Sequence, residues 1–277
     1  MSAFVRTRPV ISYFTLAYGI SWLGASAVAA PYWLRGETAP KMAGLAMFPV
    51  MLPGPAIAGI VMTRITAGRR GWRSLFAPML TTGPAQWLAV LALPPPLVIA
   101  LLMVLQHFVS PVFTPNRFLA GLSFGLAAGF IEEIGWTGFA FPAMRAERSS
   151  VAAAILLGLL WGLWHLPVID YLGAATPHGH YLLSFFLAFI AAMTAMRVVI
   201  CWVVANTGSL LMAQLLHASS TGALVAFSPA TISAADEAFW YAVYALMLWI
   251  LVVLVVARFG GGLARQPRDS RSAAVGL

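Results

Sequence analysis

Runs of about 20 apolar residues recur along this chain, separated by short clusters of Arg, Pro, Gly, Asn and Ser. A run of that length crosses the hydrocarbon of a bilayer as a helix. The pattern predicts spans at 10–30, 43–63, 85–107, 118–141, 151–168, 181–204, 210–228 and 238–257. Pro49, Pro53 and Pro55 should kink the second, and Pro94-Pro95-Pro96 should break the third. Ser149 or Ser150 can cap the fifth, and Asn206-Thr207-Gly208-Ser209 reads as a tight turn between the sixth and seventh. Leu75, Phe76 and Leu80 beside four arginines suggest a short helix lying on the membrane surface. The N-terminal run from Pro9 to Ala30 exceeds the hydrophobic core of a signal peptide and is read as a retained first span.

Composition agrees with that pattern. The 277 residues are 61% hydrophobic and only 9% charged, with a mean hydropathy of +0.89. Soluble domains carry about 25% charged residues. The expected fold class is therefore all-α: a polytopic membrane bundle of about eight helices, with 1–277 forming a single integral membrane domain. The segment 259–277, with Arg265, Arg268 and Arg271 among small residues, is expected to be a disordered basic tail.

The formal charge of +8 changes the picture only through its placement. Sorted against the spans, twelve of the sixteen Lys and Arg fall on one face and three on the other, with Arg197 inside a span. That is the positive-inside bias. It puts both termini on the cytoplasmic side of what is expected to be a bacterial plasma membrane, with anionic lipids rather than nucleic acid meeting the Arg clusters. Cys201 is the lone cysteine, so neither an internal disulfide nor a cysteine metal cluster is expected.

Two of the eight acidic residues, Glu132 and Glu133, interrupt a span; the other six are expected in loops or the tail. A charged side chain near the bilayer centre costs about 2.5–3.5 kcal/mol on insertion scales, so an adjacent pair calls for a function. His165 and His217 also lie within spans. At ~1.5 Å per helical residue, Glu132, His165 and His217 sit about 18, 21 and 12 Å from the cytoplasmic boundary. One carboxylate and two imidazoles at similar depth form a candidate site.

A carboxylate in an apolar pocket can act as general base or acid near neutral pH. Beside a histidine it can polarise a water, while a second histidine with a hydroxyl neighbour, Thr221, can hydrogen-bond an oxyanion. The same Glu132, His165 and His217 could instead hold zinc, with the second glutamate as base. Both options stand at this level. Gly135 and Gly138 read as close-packing residues, and Trp136, Trp161 and Trp164 as the lining of the cavity.

At these residues the chain resembles the CAAX prenyl protease and bacteriocin-processing (CPBP, or Abi) family of intramembrane endopeptidases. The family pattern is Glu-Glu-x-x-x-Arg, then Phe-x-x-x-His, then His-x-x-x-Asn on successive helices. Here the counterparts are Glu132-Glu133-Ile134-Gly135-Trp136-Thr137, Trp161-Gly162-Leu163-Trp164-His165 and His217-Ala218-Ser219-Ser220-Thr221. The likeness covers about residues 118–225, the expected catalytic core. It implies hydrolysis of a peptide bond in a membrane-associated or lipidated peptide or protein. In that scheme Glu132 and His165 activate water, His217 stabilises the oxyanion, and Glu133 supports them. Two departures stand out. Thr137 occupies the family's arginine position, leaving Arg145 and Arg197 as replacement cations, and Thr221 occupies the asparagine position. A catalytically inactive relative acting as a scaffold or immunity factor, and a proton-coupled transporter, are the rival readings.

Overall fold

The computed structural model describes residues 3–264, so the expected tail lies outside the described residues from 265 onward. Among the described residues the chain is helical throughout, with no strand. Nine principal helices carry the architecture: α1 (Pro9–Trp33), α2 (Lys41–Met51), α3 (Pro53–Ala67), α4 (Pro94–Phe108), α5 (Gly121–Gly135), α6 (Ser150–Trp164), α7 (Leu182–Thr207), α8 (Leu210–Phe227) and α9 (Ala234–Phe259). A helical segment occupies each of the eight expected intervals. Six candidate spans are long and apolar enough to cross a membrane: 9–33, 41–80, 85–108, 179–207, 210–227 and 234–259. α6, at 15 residues, is a shorter apolar helix, and the glutamate-bearing α5 is not among the six. The protein is an integral, multi-pass membrane protein.

Proline places the breaks. The second span divides at Leu52, so that Pro53 opens α3 where its missing N–H costs nothing. The third divides at Leu93, and Pro94 opens α4 in the same way. The helix does not end at 141, the expected limit of the fourth span, and Pro142 does not break it. The chain leaves α5 through a π-helical turn, Trp136–Ala140, and continues helically over Phe141–Arg145. Phe141 donates its N–H five residues back, to the Trp136 carbonyl, and that wider register carries the helix past the proline. α6 stops at Trp164, short of the expected limit at 168, with His165 as its C-cap and Pro167 two residues on. The Asn206–Ser209 turn forms as expected: Gly208 adopts φ of 64°, and the Ser209 hydroxyl caps α8 at Met212 N.

α7 and α8 lie at the centre, each about two-thirds buried, whereas α1 and α4 stand at the rim with under a third of their most apolar stretch covered. The rim exposes Leu23, Met103, Leu246 and Val253, an apolar surface suited to lipid. α5 and α8 make the most extensive helix contact. Gly121, Gly125 and Gly129 recur at every fourth position of α5 and lie directly on the α8 backbone at Ala226, Gly222 and Ala218. A Cβ at Gly129 would stand 2.7 Å from Ala218 N, so only glycine lets the two backbones meet there. α3 crosses α5 at another glycine pair, where a Cβ on Gly59 would come within 2.9 Å of Gly135 Cα. The short helix Gly71–Phe76 forms as expected, but Leu75 turns inward and packs on Gly138 rather than facing lipid.

Candidate active site

The site forms where α5, α6, α7 and α8 meet. α5 presents Glu132 and Glu133, adjacent residues that point to different neighbours because successive helix positions diverge by about 100°. Glu132 is buried, and its Oε2 accepts from two indoles: Trp136 Nε1 at 3.0 Å, one turn along the same helix, and Trp161 Nε1 at 2.9 Å from α6. Neither donor carries charge.

Glu133 is surrounded differently. Its Oε2 accepts from Arg197 Nη1 at 2.8 Å and from the Thr137 hydroxyl. Its Oε1 lies 2.7 Å from His217 Nδ1. Arg197 Nη1 also donates to Thr137 Oγ1 at 3.3 Å. All four side chains are buried. An ionised carboxylate accepts only, so His217 carries hydrogen on Nδ1 and leaves Nε2 available.

His165 closes α6. Its Nδ1 lies 2.9 Å from the Trp161 carbonyl, which accepts only, so Nδ1 is the protonated nitrogen and Nε2 is again the available one. Its ring stacks on Phe48 (centroids 6.1 Å apart, planes at 21°) and meets Phe189 edge-on at 5.0 Å. Neighbouring helix α1 finishes the end of α6: Trp22 Nε1 donates to Trp164 O at 3.0 Å and the Tyr18 hydroxyl to Leu160 O. The Trp22 bond satisfies a carbonyl that a helix end leaves without a partner.

Trp161 is the common neighbour. It donates to Glu132, offers its carbonyl to His165, meets His217 edge-on at 5.0 Å, and carries the Arg197 guanidinium 4.3 Å above its ring. Of the sequence-predicted residues, Glu133 and His217 are brought into direct contact, and Glu132 and His165 are gathered on either side of Trp161. Thr221 is not part of this network: it is half-buried, and no hydrogen bond joins it to the glutamates or histidines among the described residues. Of the two replacement cations, Arg197 reaches Glu133 and Arg145 instead lies over the Phe141 ring. Phe48 and Phe189 gave no signal in the sequence, because nothing distinguishes an aromatic that packs a histidine from one that packs lipid.

Among the described residues, no three His, Cys, Asp or Glu side chains are placed to hold one metal ion. The zinc candidates Glu132, His165 and His217 are each tied to a different partner, namely two indoles, a backbone carbonyl and Glu133. As placed, the three do not form a group around one ion.

A second polar cluster lies at the loop between α6 and α7. His178, which falls between the fifth and sixth expected spans, is buried, with Nδ1 3.1 Å from Asp170 Oδ1 and Nε2 3.2 Å from Glu237 Oε2. Glu237, also expected in a loop, is fully buried in the first turn of α9, where Ser233 caps the helix, and it accepts from Ala174 N and Ala175 N. Burial works against the charged form of His178, but Glu237 and Asp170 outweigh it and raise its pKa above the ordinary histidine value.

Comparison with known proteins points the same way as the geometry. Residues 114–223 match a family described as Rce1-like, type II CAAX prenyl endopeptidase. Over 108 residues the chain is 32% identical to CAAX prenyl protease 2 of Methanococcus maripaludis, a match covering 38% of this chain and 38% of that protein. The matched segment contains the two glutamates, both site histidines and Arg197. Over that segment the chain is similar to type II CAAX prenyl endopeptidases.

Proposed function

We propose that this protein is an intramembrane endopeptidase that hydrolyses a peptide bond in a membrane-associated or lipidated peptide or protein, with Glu132 as the base. The observation that carries the assignment is the unequal treatment of two adjacent carboxylates. Glu133 is committed to a cation and a histidine, while Glu132 is held only by neutral donors on one oxygen. A pair of like groups in unlike surroundings divides into an acid–base member and a structural member.

In this reading Glu132 takes a proton from water as the water oxygen attacks the scissile carbonyl carbon, and His165 Nε2 orients that water. The carbonyl oxygen becomes an oxyanion, stabilised by an Nε2–H of the His217 imidazolium, whose Nδ1–H stays on Glu133. The C–N bond then breaks as Glu132 returns its proton to the leaving amine. Thr221, one turn beyond His217, would add a hydroxyl to the oxyanion side. Arg64, Arg69, Arg70 and Arg73, grouped at the end of α3, would hold anionic lipid headgroups at the membrane surface. The substrate class follows the relative's name.

The test uses purified protein in liposomes with prenylated and unmodified reporter peptides. Wild type should cleave, and Glu132→Gln should lose at least about 100-fold in rate while eluting as the folded protein. A folded Glu132→Gln variant that cleaves like wild type would remove the peptidase reading.

A further inference from the structure

Arg197 is the buried cation of the site, yet it comes from a helix that carries none of the glutamates or histidines. α7 approaches closely enough to deliver it because α6 has glycine at the crossing: a Cβ on Gly158 would lie 2.6 Å from Thr194 Cα and 3.1 Å from Arg197 Cβ. The guanidinium then reaches Glu133 at 2.8 Å, and Glu133 reaches His217 at 2.7 Å through its other oxygen. The result is a continuous chain across α7, α5 and α8, with Trp161 of α6 stacked under the guanidinium.

The chemistry of that chain depends on its far end. A buried carboxylate facing only a hydroxyl and an imidazole can take up a proton, or draw one from the imidazole. Either event changes which nitrogen of His217 carries hydrogen. A guanidinium on the opposite oxygen keeps Glu133 an acceptor, and His217 then keeps hydrogen on Nδ1.

We propose that Arg197 is a positioning residue: acting through Glu133 from α7, it holds the Nδ1–H of His217 on Glu133, so that the opposite ring edge, with its Nε2–H, faces the oxyanion. Position 137 is the alternative source of the same charge. Thr137 lies one turn after Glu133 and touches both the Glu133 oxygen and Arg197 Nη1, so an arginine there can pair with Glu133 from the π turn that continues α5. The catalytic part of this proposal rests on the peptidase reading, whereas the state of the His217 ring does not.

Both parts are tested with the full-length protein in nanodiscs, labelled with ¹⁵N-histidine and compared with Arg197→Met, Arg197→Lys and the exchange variant Thr137→Arg/Arg197→Met. Histidine ¹⁵N spectra, assigned with His217→Gln, should show His217 protonated at Nδ1 in wild type. That signal should be lost or averaged in Arg197→Met, and kept in Arg197→Lys and the exchange variant. In parallel, Arg197→Met should lower kcat roughly 100-fold with KM nearly unchanged, as misdirected histidine tautomers do, and the exchange should recover most of it. A folded Arg197→Met that keeps the wild-type His217 signal overturns the proposal. Should Arg197→Met fail to fold, loss of the signal in a folded Arg197→Lys overturns it equally. If wild type cleaves no reporter, the peptidase reading fails while the spectra still decide the role of Arg197.

Discussion

Arg197 Nη1 lies 2.8 Å from Glu133 Oε2, and neither side chain reaches solvent. Removing one charge of such a pair leaves the other buried without compensation, at a cost of about 3–5 kcal/mol. Glu133→Gln should therefore destabilise the protein by that order. Glu132→Gln should change stability little, because an amide oxygen can still accept from the Trp136 and Trp161 indoles. Unfolding both variants in the same micelles measures the contrast. Equal stability losses would mean that Glu133 and Arg197 are not an energetically coupled pair.

The two indoles on Glu132 allow a graded test of the base. Hydrogen bonds to a charged group contribute about 1.5–3 kcal/mol, so deleting one donor should slow cleavage by roughly 10–100-fold. Trp136→Phe and Trp161→Phe each remove one donor and keep the aromatic packing. Trp161→Phe should be the more damaging, since the same indole also supports Arg197 and meets His217. Steady-state cleavage of a reporter peptide by the two variants decides this, and full activity in both would show that Glu132 is not oriented by these bonds.

Much of this was legible in the sequence, for identifiable reasons. Apolar run length and proline placement describe a helix locally, so every expected interval contains one, and the breaks at Leu52 and Leu93 fall beside the expected prolines. The π turn before Pro142 was not legible, because the register of a hydrogen bond depends on what packs around it, here Leu75 against Gly138. The cation of the site was visible as the one Lys or Arg inside a span, but hydropathy carries no information on which face meets which helix. Both Arg145 and Arg197 therefore stood as candidate cations on paper. Glu237 shows the converse: a carboxylate beside Asp236 at a span end reads as loop, and only the fold reveals the Ser233 cap and the loop amides that bury it.

Close helix crossings should be the sites most sensitive to added volume. Gly158→Ala puts a methyl 2.6 Å from the Thr194 backbone, which cannot move aside as a side chain would. Overpacking of this kind costs about 1–3 kcal/mol, and here it would also push α7 and its Arg197 away from Glu133. Gly19→Ala is the control, since nothing lies within 4 Å of the added atom. Thermal unfolding should place Gly158→Ala well below wild type and Gly19→Ala at or slightly above it. The same Gly158→Ala protein should lose activity beyond what its unfolded fraction explains.

His178 gives the protein a pH-dependent contribution whose sign follows from its two carboxylate partners. The imidazole can donate to Asp170 and Glu237 together only when both nitrogens carry hydrogen. Its pKa is raised above the ordinary value of 6.5. The stabilisation is thus complete below that ordinary value and is lost as pH rises through the raised folded value. Around the ring, Phe185 stacks at 4.0 Å, and Lys41 reaches the same loop through the Ala174 carbonyl. The segment 172–178, tied to α9 by Glu237, should accordingly become easier to cut by added protease at alkaline pH. His178→Gln, which carries no charge, should be cut readily at all pH values and show no such transition. A wild-type cleavage rate flat from pH 6 to pH 9, about the span in which a raised histidine titrates, would mean that the charge on His178 does not hold the loop.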